Sequence, residues 1–138
     1  MKVQVIRSNR KTIGLEVRAD ESVILRAPAV DEISDVEWKS ILREFTERVN
    51  HFCKVMDVTV GRITIRNQKT RWGSCSSKGN VNFNYQLYYM PRELMDYVII
   101  HELSHRRHMN HSAEFWQEVE KYCKTYRECR KKLRDYEI

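Results

Sequence analysis

At 138 residues with a formal net charge of +6, the chain is long enough to bury one modest core and too short for two. Its longest aliphatic run, Tyr97 to Ile100, is far too short to cross a bilayer, and the opening MKVQVIRSNRK lacks the apolar stretch of a secretory leader. The expectation is a single domain over residues 1–138 with no membrane association, soluble and cytoplasmic, its four cysteines free because no C-x-x-C pair is present.

Near the start, KVQVI, TIGLEV and SVILRAP are β-rich runs separated by polar residues at Ser8 to Lys11 and Ala19 to Glu21. They predict a small antiparallel meander over residues 1–28, ended by Pro28. Ser34 and Glu37 form an S-x-x-E capping box. The segment it opens carries Trp38, Ile41, Leu42, Phe45, Val49, Phe52 and Met56 at helical spacing, the mark of a long amphipathic helix. His51 lies in it and reads as an exposed polar residue.

RITIRN reads as a strand, SSKGN as a turn with Gly79 in a permissive conformation, and VNFNYQLYY as a second strand, together a β-hairpin. In the second strand Val81, Phe83, Tyr85, Leu87 and Tyr89 point to the core while Asn82, Asn84, Gln86 and Tyr88 point away. That polar face suits either main-chain pairing with an extended peptide or ordinary sheet packing.

Pro91 suits the first position of the next helix, and Glu93 the positive end of its dipole. Leu94, Val98, His101 and His105 then recur at steps of 4, 3 and 4, so both histidines continue an inward-facing stripe. Ser112 is a natural N-cap for a further helical stretch with Phe115, Val119, Tyr122 and Tyr126 on one face. Residues 34–138 are thereby predicted to supply a helix, a hairpin and a metal-binding core.

HELSHRRHMNH, from His101 to His111, holds four of the five histidines. One helical turn separates His101 from His105, which lets two ring nitrogens converge on one ion at about 2.0 to 2.1 Å. Glu102 is rotated about 100° from His101, placing it beside a bound water without making it a ligand. Hydrolytic zinc commonly takes three protein ligands. On a straight helix His108 would lie about 10 Å and His111 about 15 Å beyond His101, so the chain must turn after His105. Asn110, which tolerates left-handed dihedrals, and Ser112, which starts a new helix, permit that reversal with His111 at its tip. His108 competes for the third position but has little chain in which to turn back. Glu114 or Glu118 is a weaker alternative, completing a His₂Glu set.

Lys121, Lys124, Arg127, Arg130, Lys131, Lys132 and Arg134 crowd the last stretch. The first reading of such a run is a solvated helix face, and the second a weak contact with nucleic acid or another polyanion.

TRWGSCSSKGNVNFN, from Thr70 to Asn84, followed by DYVIIHELSH and NHSAEFW, resembles the YgjP-like metallopeptidase family, small zincins related in style to the SprT-like and WLM proteases. The resemblance spans roughly Lys2 to the Ala27 region and Arg62 to Tyr126. It implies an α+β zincin-like fold, Zn2+ held by His101, His105 and His111, and Glu102 as the catalytic glutamate. One departure is Arg106-Arg107-His108, more basic than the often apolar family pattern. Arg71, Trp72 and Cys75 belong to the matching block and read as structural or supporting residues, with Arg71 an anion contact. A zinc metallopeptidase acting on a peptide or protein substrate is the expected function, with Glu102 activating a zinc-bound water and Tyr85, Tyr88 or Tyr97 stabilising the oxyanion. One alternative is a zinc-dependent nucleoside triphosphate pyrophosphatase, which would need several cations beside the metal. Another is a nucleic-acid-binding module with a structural zinc, although such sites are normally cysteine-rich.

Overall fold

The computed structural model describes residues 3–8, 14–17, 23–28, 33–66 and 71–136. The turn residues 9–11 and 19–21, together with Thr70, lie outside them. Strands β1 (Val3–Ser8), β2 (Gly14–Val17) and β3 (Val23–Pro28) form one sheet in the order β1-β3-β2. β2 and β3 pair antiparallel, but β1 runs parallel to β3, with Val3 opposite Val23. The predicted meander is corrected accordingly, since β3 takes the central place. Alternation and turn residues mark where strands lie, whereas their order depends on which edges become buried together.

Helix α1 (Asp35–Met56) starts where the capping box places it, with Ser34 Oγ accepting from the Glu37 N–H at 3.2 Å. Its buried residues are the seven of the apolar stripe, Trp38 to Met56. Burying such side chains stabilises by about 1.5–3 kcal/mol each, so this one face anchors the core. Arg7 on β1 reaches the start of the helix, donating to Asp35 Oδ1 at 2.6 and 2.9 Å. At the other end Asp57 takes a left-handed conformation, φ 55°, and its N–H returns to the carbonyls of Cys53 and Lys54.

Strands β4 (Ile63–Arg66), β5 (Gly73–Cys75) and β6 (Val81–Asn84) form a second sheet in the order β4-β6-β5. β5 and β6 make the hairpin around Ser76–Asn80, with Gly79 at φ 85°, while β4 pairs parallel to β6. The predicted strand over 81–89 is half right. It stops at Asn84, and Tyr85–Tyr89 wind into a 3-10 helix. Asn84 causes the change: fully buried, its side chain accepts from the Gln86 N–H at 3.0 Å and donates to the Arg71 carbonyl at 3.2 Å. An asparagine that caps its own backbone competes with continuation of the ladder.

Helix α2 (Arg92–Ser104) begins one residue after Pro91 and packs on α1, clamped by Arg48 donating to both oxygens of Asp96 at 2.9 and 2.7 Å. Below it Phe45 stacks on Phe83. Two further helices follow, α3 (Ala113–Tyr122), capped by Ser112, and α4 (Tyr126–Arg134). The apolar face read through Phe115, Val119, Tyr122 and Tyr126 is thus divided between two helices by a break at Cys123. Among the described residues no helix is long and apolar enough to cross a membrane.

Candidate metal centre

α2 ends at Ser104, so His101 lies in its last turn and His105 at its C-cap. Two tight bonds reverse the chain there, from the Arg107 and His108 N–H groups to the Ser104 carbonyl at 3.1 and 3.0 Å. The reversal uses no left-handed residue at Asn110, contrary to expectation, since Asp57 is the sole described non-glycine residue with positive φ. It is held instead by two arginines. Arg106 donates to the carbonyls of Thr59 and Ser77 at 2.8 and 3.4 Å, and its guanidinium occupies the space a side chain at Gly79 would need. Arg107 donates to the carbonyls of Met56 and Asp57, both at 2.9 Å. The basic pair therefore pins the loop to the end of α1, the segment just after it and the turn between β5 and β6.

The loop returns His111 to α2. His111 Nε2 lies 3.3 Å from His101 Nε2, and one donor atom from each of His101, His105 and His111 falls within 4.8 Å of the others. His108 contributes its backbone only, its carbonyl accepting from His105 Nδ1 at 3.1 Å. Because a carbonyl can only accept, His105 carries its proton on Nδ1 and keeps the Nε2 lone pair free. Tyr97 Oη lies 3.1 Å from His101 Nδ1 and orients the second ring, its hydroxyl able to accept from or donate to that nitrogen. Phe115 stacks on His105 and Trp116 on His111, closing the apolar side of the cluster.

Neither glutamate alternative joins it. Buried Glu118 faces Arg107 and Lys121, each at 3.5 Å, and Glu114 is exposed in the first turn of α3. His51 lies exposed on α1 against Phe52.

Glu102 is 6% exposed, and its Oε1 lies 3.9 Å from His105 Nε2, beside the three donors and outside their number. Without a cation, burial pushes its carboxyl up to about 8, against the pull of the Arg71 charge. Burial likewise holds His101 down at about 3, assisted by His105, His111 and Arg130. His105 is lowered too, chiefly by burial, so its contact with Glu102 joins a neutral ring to a carboxyl group.

The His101–His111 separation fits a tetrahedral cation, and the third donor, from His105, lies within 4.8 Å of both. Two nitrogens bonded to one zinc at about 2.0–2.1 Å stand about 3.3 Å apart, the separation His101 and His111 already show. Three histidine ligands would also leave a tetrahedral cation one further position for water or substrate.

A cavity of about 320 Å³ adjoins Glu102 and His101, with Arg71 and Trp72 on one side and Arg130 on another. β5, the edge strand, closes over it. A methyl group on Gly73 would meet Glu102 Cγ and Val98 Cγ1 at 3.1 Å and the Asn82 carbonyl at 3.0 Å, so only glycine lets the strand approach this closely. β6, by contrast, is paired on both sides and has no free edge for a peptide, which decides for sheet packing on its polar face.

Of the tyrosines considered for the oxyanion, Tyr97 lines the cavity but is engaged with His101, and Tyr85 and Tyr88 do not line it. Sequence reasoning did not connect Tyr97 to His101, although their spacing of one helical turn carried the signal. It also missed Arg130 and Arg134 as neighbours of the site, and nothing local could have placed them there. The basic run is dispersed. Lys121 faces Glu118, Lys132 donates to Glu93 at 2.8 Å, and Arg127 and Arg130 lie over the rings of Tyr126 and Trp116.

A family model described as YgjP-like, metallopeptidase domain, matches residues 29–136. Among solved structures, the crystal structure of the metallopeptidase zymogen of Pyrococcus abyssi abylysin is similar, at 25% identity and a TM-score of 0.59, over 64% of this chain and 90% of that one. No curated protein matches. The mixed architecture is that of a zincin-type metallopeptidase. The match over 29–136, which contains the entire histidine cluster, shows that the chain belongs to the YgjP-like metallopeptidase family.

Proposed function

We propose that the chain is a zinc-dependent peptidase, folded as one domain over residues 1–138, with His101, His105 and His111 as metal ligands and Glu102 as the catalytic carboxylate. The observation that carries this reading is the placement of Glu102, 3.9 Å from His105 Nε2, next to the donors without being one. Zinc bound there would supply Lewis acidity, making water acidic enough to ionise near neutral pH and polarising a peptide carbonyl.

The chain's own residues do the rest. A Glu102 carboxylate oxygen accepts the proton of the attacking water and returns it to the leaving amine nitrogen. Burial raises the proton affinity of that carboxyl in the metal-free site, and beside a cation held by the three histidines the carboxylate form that the base needs would be favoured. Tyr97 and the His108 carbonyl hold two of the ligand rings in place. The outer edge of β5 offers main-chain groups to an extended peptide, the role considered for residues 81–89.

Stripping the metal should abolish cleavage of an unfolded protein, and one equivalent of zinc should restore it. Undiminished proteolysis by the chelated protein would overturn the proposal. Phosphoanhydride hydrolysis is a second reading favoured by one observation, the presence of Arg71, Arg130 and Arg134 around the cavity. Nucleoside triphosphates offered to the same zinc-loaded protein test it directly.

A further inference from the structure

Arg71, Arg130 and Arg134 enter one cavity from two elements distant in sequence, the loop before β5 and helix α4. All three are exposed, and among the described residues none makes a close ion pair with a carboxylate, although the Arg71 charge acts on Glu102 across the cavity. Other arginines are engaged within the fold: Arg48 pairs with Asp96, Arg92 with Glu44 and Arg107 with Glu118, while Arg106 donates to the Thr59 and Ser77 carbonyls. The three are thus left facing solvent-filled space beside His101 and Glu102.

Arg130 is also held in place. Its guanidinium lies 4.4 Å from the centre of the Trp116 ring, which itself stacks on Tyr126. Stacking engages the face of a guanidinium and leaves its N–H edge free to fork onto a carboxylate. Arg134, one turn further along α4, lines the same cavity. The remaining wall is apolar, from Trp72, Val98 and Leu133. Such a pocket suits a hydrocarbon stem ending in one anionic group. A polyphosphate would set several charges against the Glu102 carboxyl in the same wall.

We infer that this cavity is a specificity pocket for a carboxylate of the peptide substrate, read by Arg71, Arg130 and Arg134 next to the scissile bond. The carboxylate belongs either to an acidic side chain or to the end of the peptide chain. The inference rests on the peptidase reading for its substrate, but its test need not.

Four peptides differing only in an internal Glu or Gln and in a C-terminal acid or amide are titrated against Glu102→Gln protein, with Trp72 and Trp116 fluorescence as the readout. The same peptides are then offered to the zinc-loaded wild-type protein. A charged group at the recognised position should improve affinity by about ten- to a hundredfold over its neutral counterpart, the arm that responds identifying its source. Arg130→Glu with Arg134→Glu should reverse the preference towards a Lys peptide, a gain that a misfolded variant could not show. Arg71→Gln should weaken the discrimination without reversing it. Equal affinity for all four peptides, or none for any, overturns the inference, as does tight binding of nucleoside triphosphates at these arginines without peptide discrimination. Charge-selective binding without cleavage keeps the pocket and removes the peptidase reading, whereas cleavage indifferent to charge does the reverse.

Discussion

Tyr97 Oη lies 3.1 Å from His101 Nδ1, one turn earlier on the same helix, and this contact joins the buried core to the metal centre. A ring nitrogen hydrogen-bonded to a fixed partner presents its other nitrogen in a set direction, and losing such a partner typically costs 10–100-fold in metal affinity. Tyr97→Phe keeps the ring in the core and removes the hydroxyl alone. The expected outcome is zinc affinity lowered by about tenfold or more with thermal stability of the metal-free protein nearly unchanged, measured by competition with a chromophoric chelator.

Glu102 stands beside the donors, so its removal should separate binding from turnover. Glu102→Gln should retain one equivalent of zinc by elemental analysis while kcat falls by about 10²–10⁴-fold. A variant that cleaves at the wild-type rate would remove Glu102 from the reaction.

Half-buried His101 and buried Glu102 give the metal-free protein a distinctive dependence of stability on pH. His101 falls from 6.5 to about 3 on folding, so between those values the unfolded chain holds the extra proton and stability rises with pH. Glu102 moves the other way, from 4.5 to about 8, so the folded chain holds the extra proton and stability falls as pH rises through that window. The two oppose each other between 4.5 and 6.5, leaving Glu102 alone to lower stability from 6.5 to about 8. The slope of that limb is at most about 1.4 kcal/mol per pH unit. Urea unfolding of metal-free protein should show the limb in the wild type and lose it in Glu102→Gln.

Arg107 ties the loop carrying His111 to the end of α1 through two carbonyls at 2.9 Å. Hydrogen bonds from a charged donor contribute about 1.5–3 kcal/mol when buried, and less here because the side chain is partly exposed. Arg107→Ala should lower stability by about 1–2 kcal/mol in denaturant titrations and weaken zinc binding as well. Lys at this position should recover only part of the loss, since an ammonium lacks the planar fork. Unchanged zinc affinity in the alanine variant would show that His111 is positioned by other contacts.

What could be read along the chain was what depends on near neighbours. The stripe from Trp38 to Met56, the cap at Ser34 and the one-turn spacing of His101 and His105 are local periodicities, and each stands where the sequence placed it. Even the reversal toward His111 followed from helix dimensions, because a straight helix cannot bring that ring back. Tertiary structure alone decided the rest. β3 sits between β1 and β2, and β6 stops at an asparagine that turns its side chain onto its own backbone. Arg130, in a different helix from His101, lines the same cavity. Strand order and the meeting of distant side chains are set by which surfaces bury each other across the fold, and no periodicity within a single segment encodes that choice.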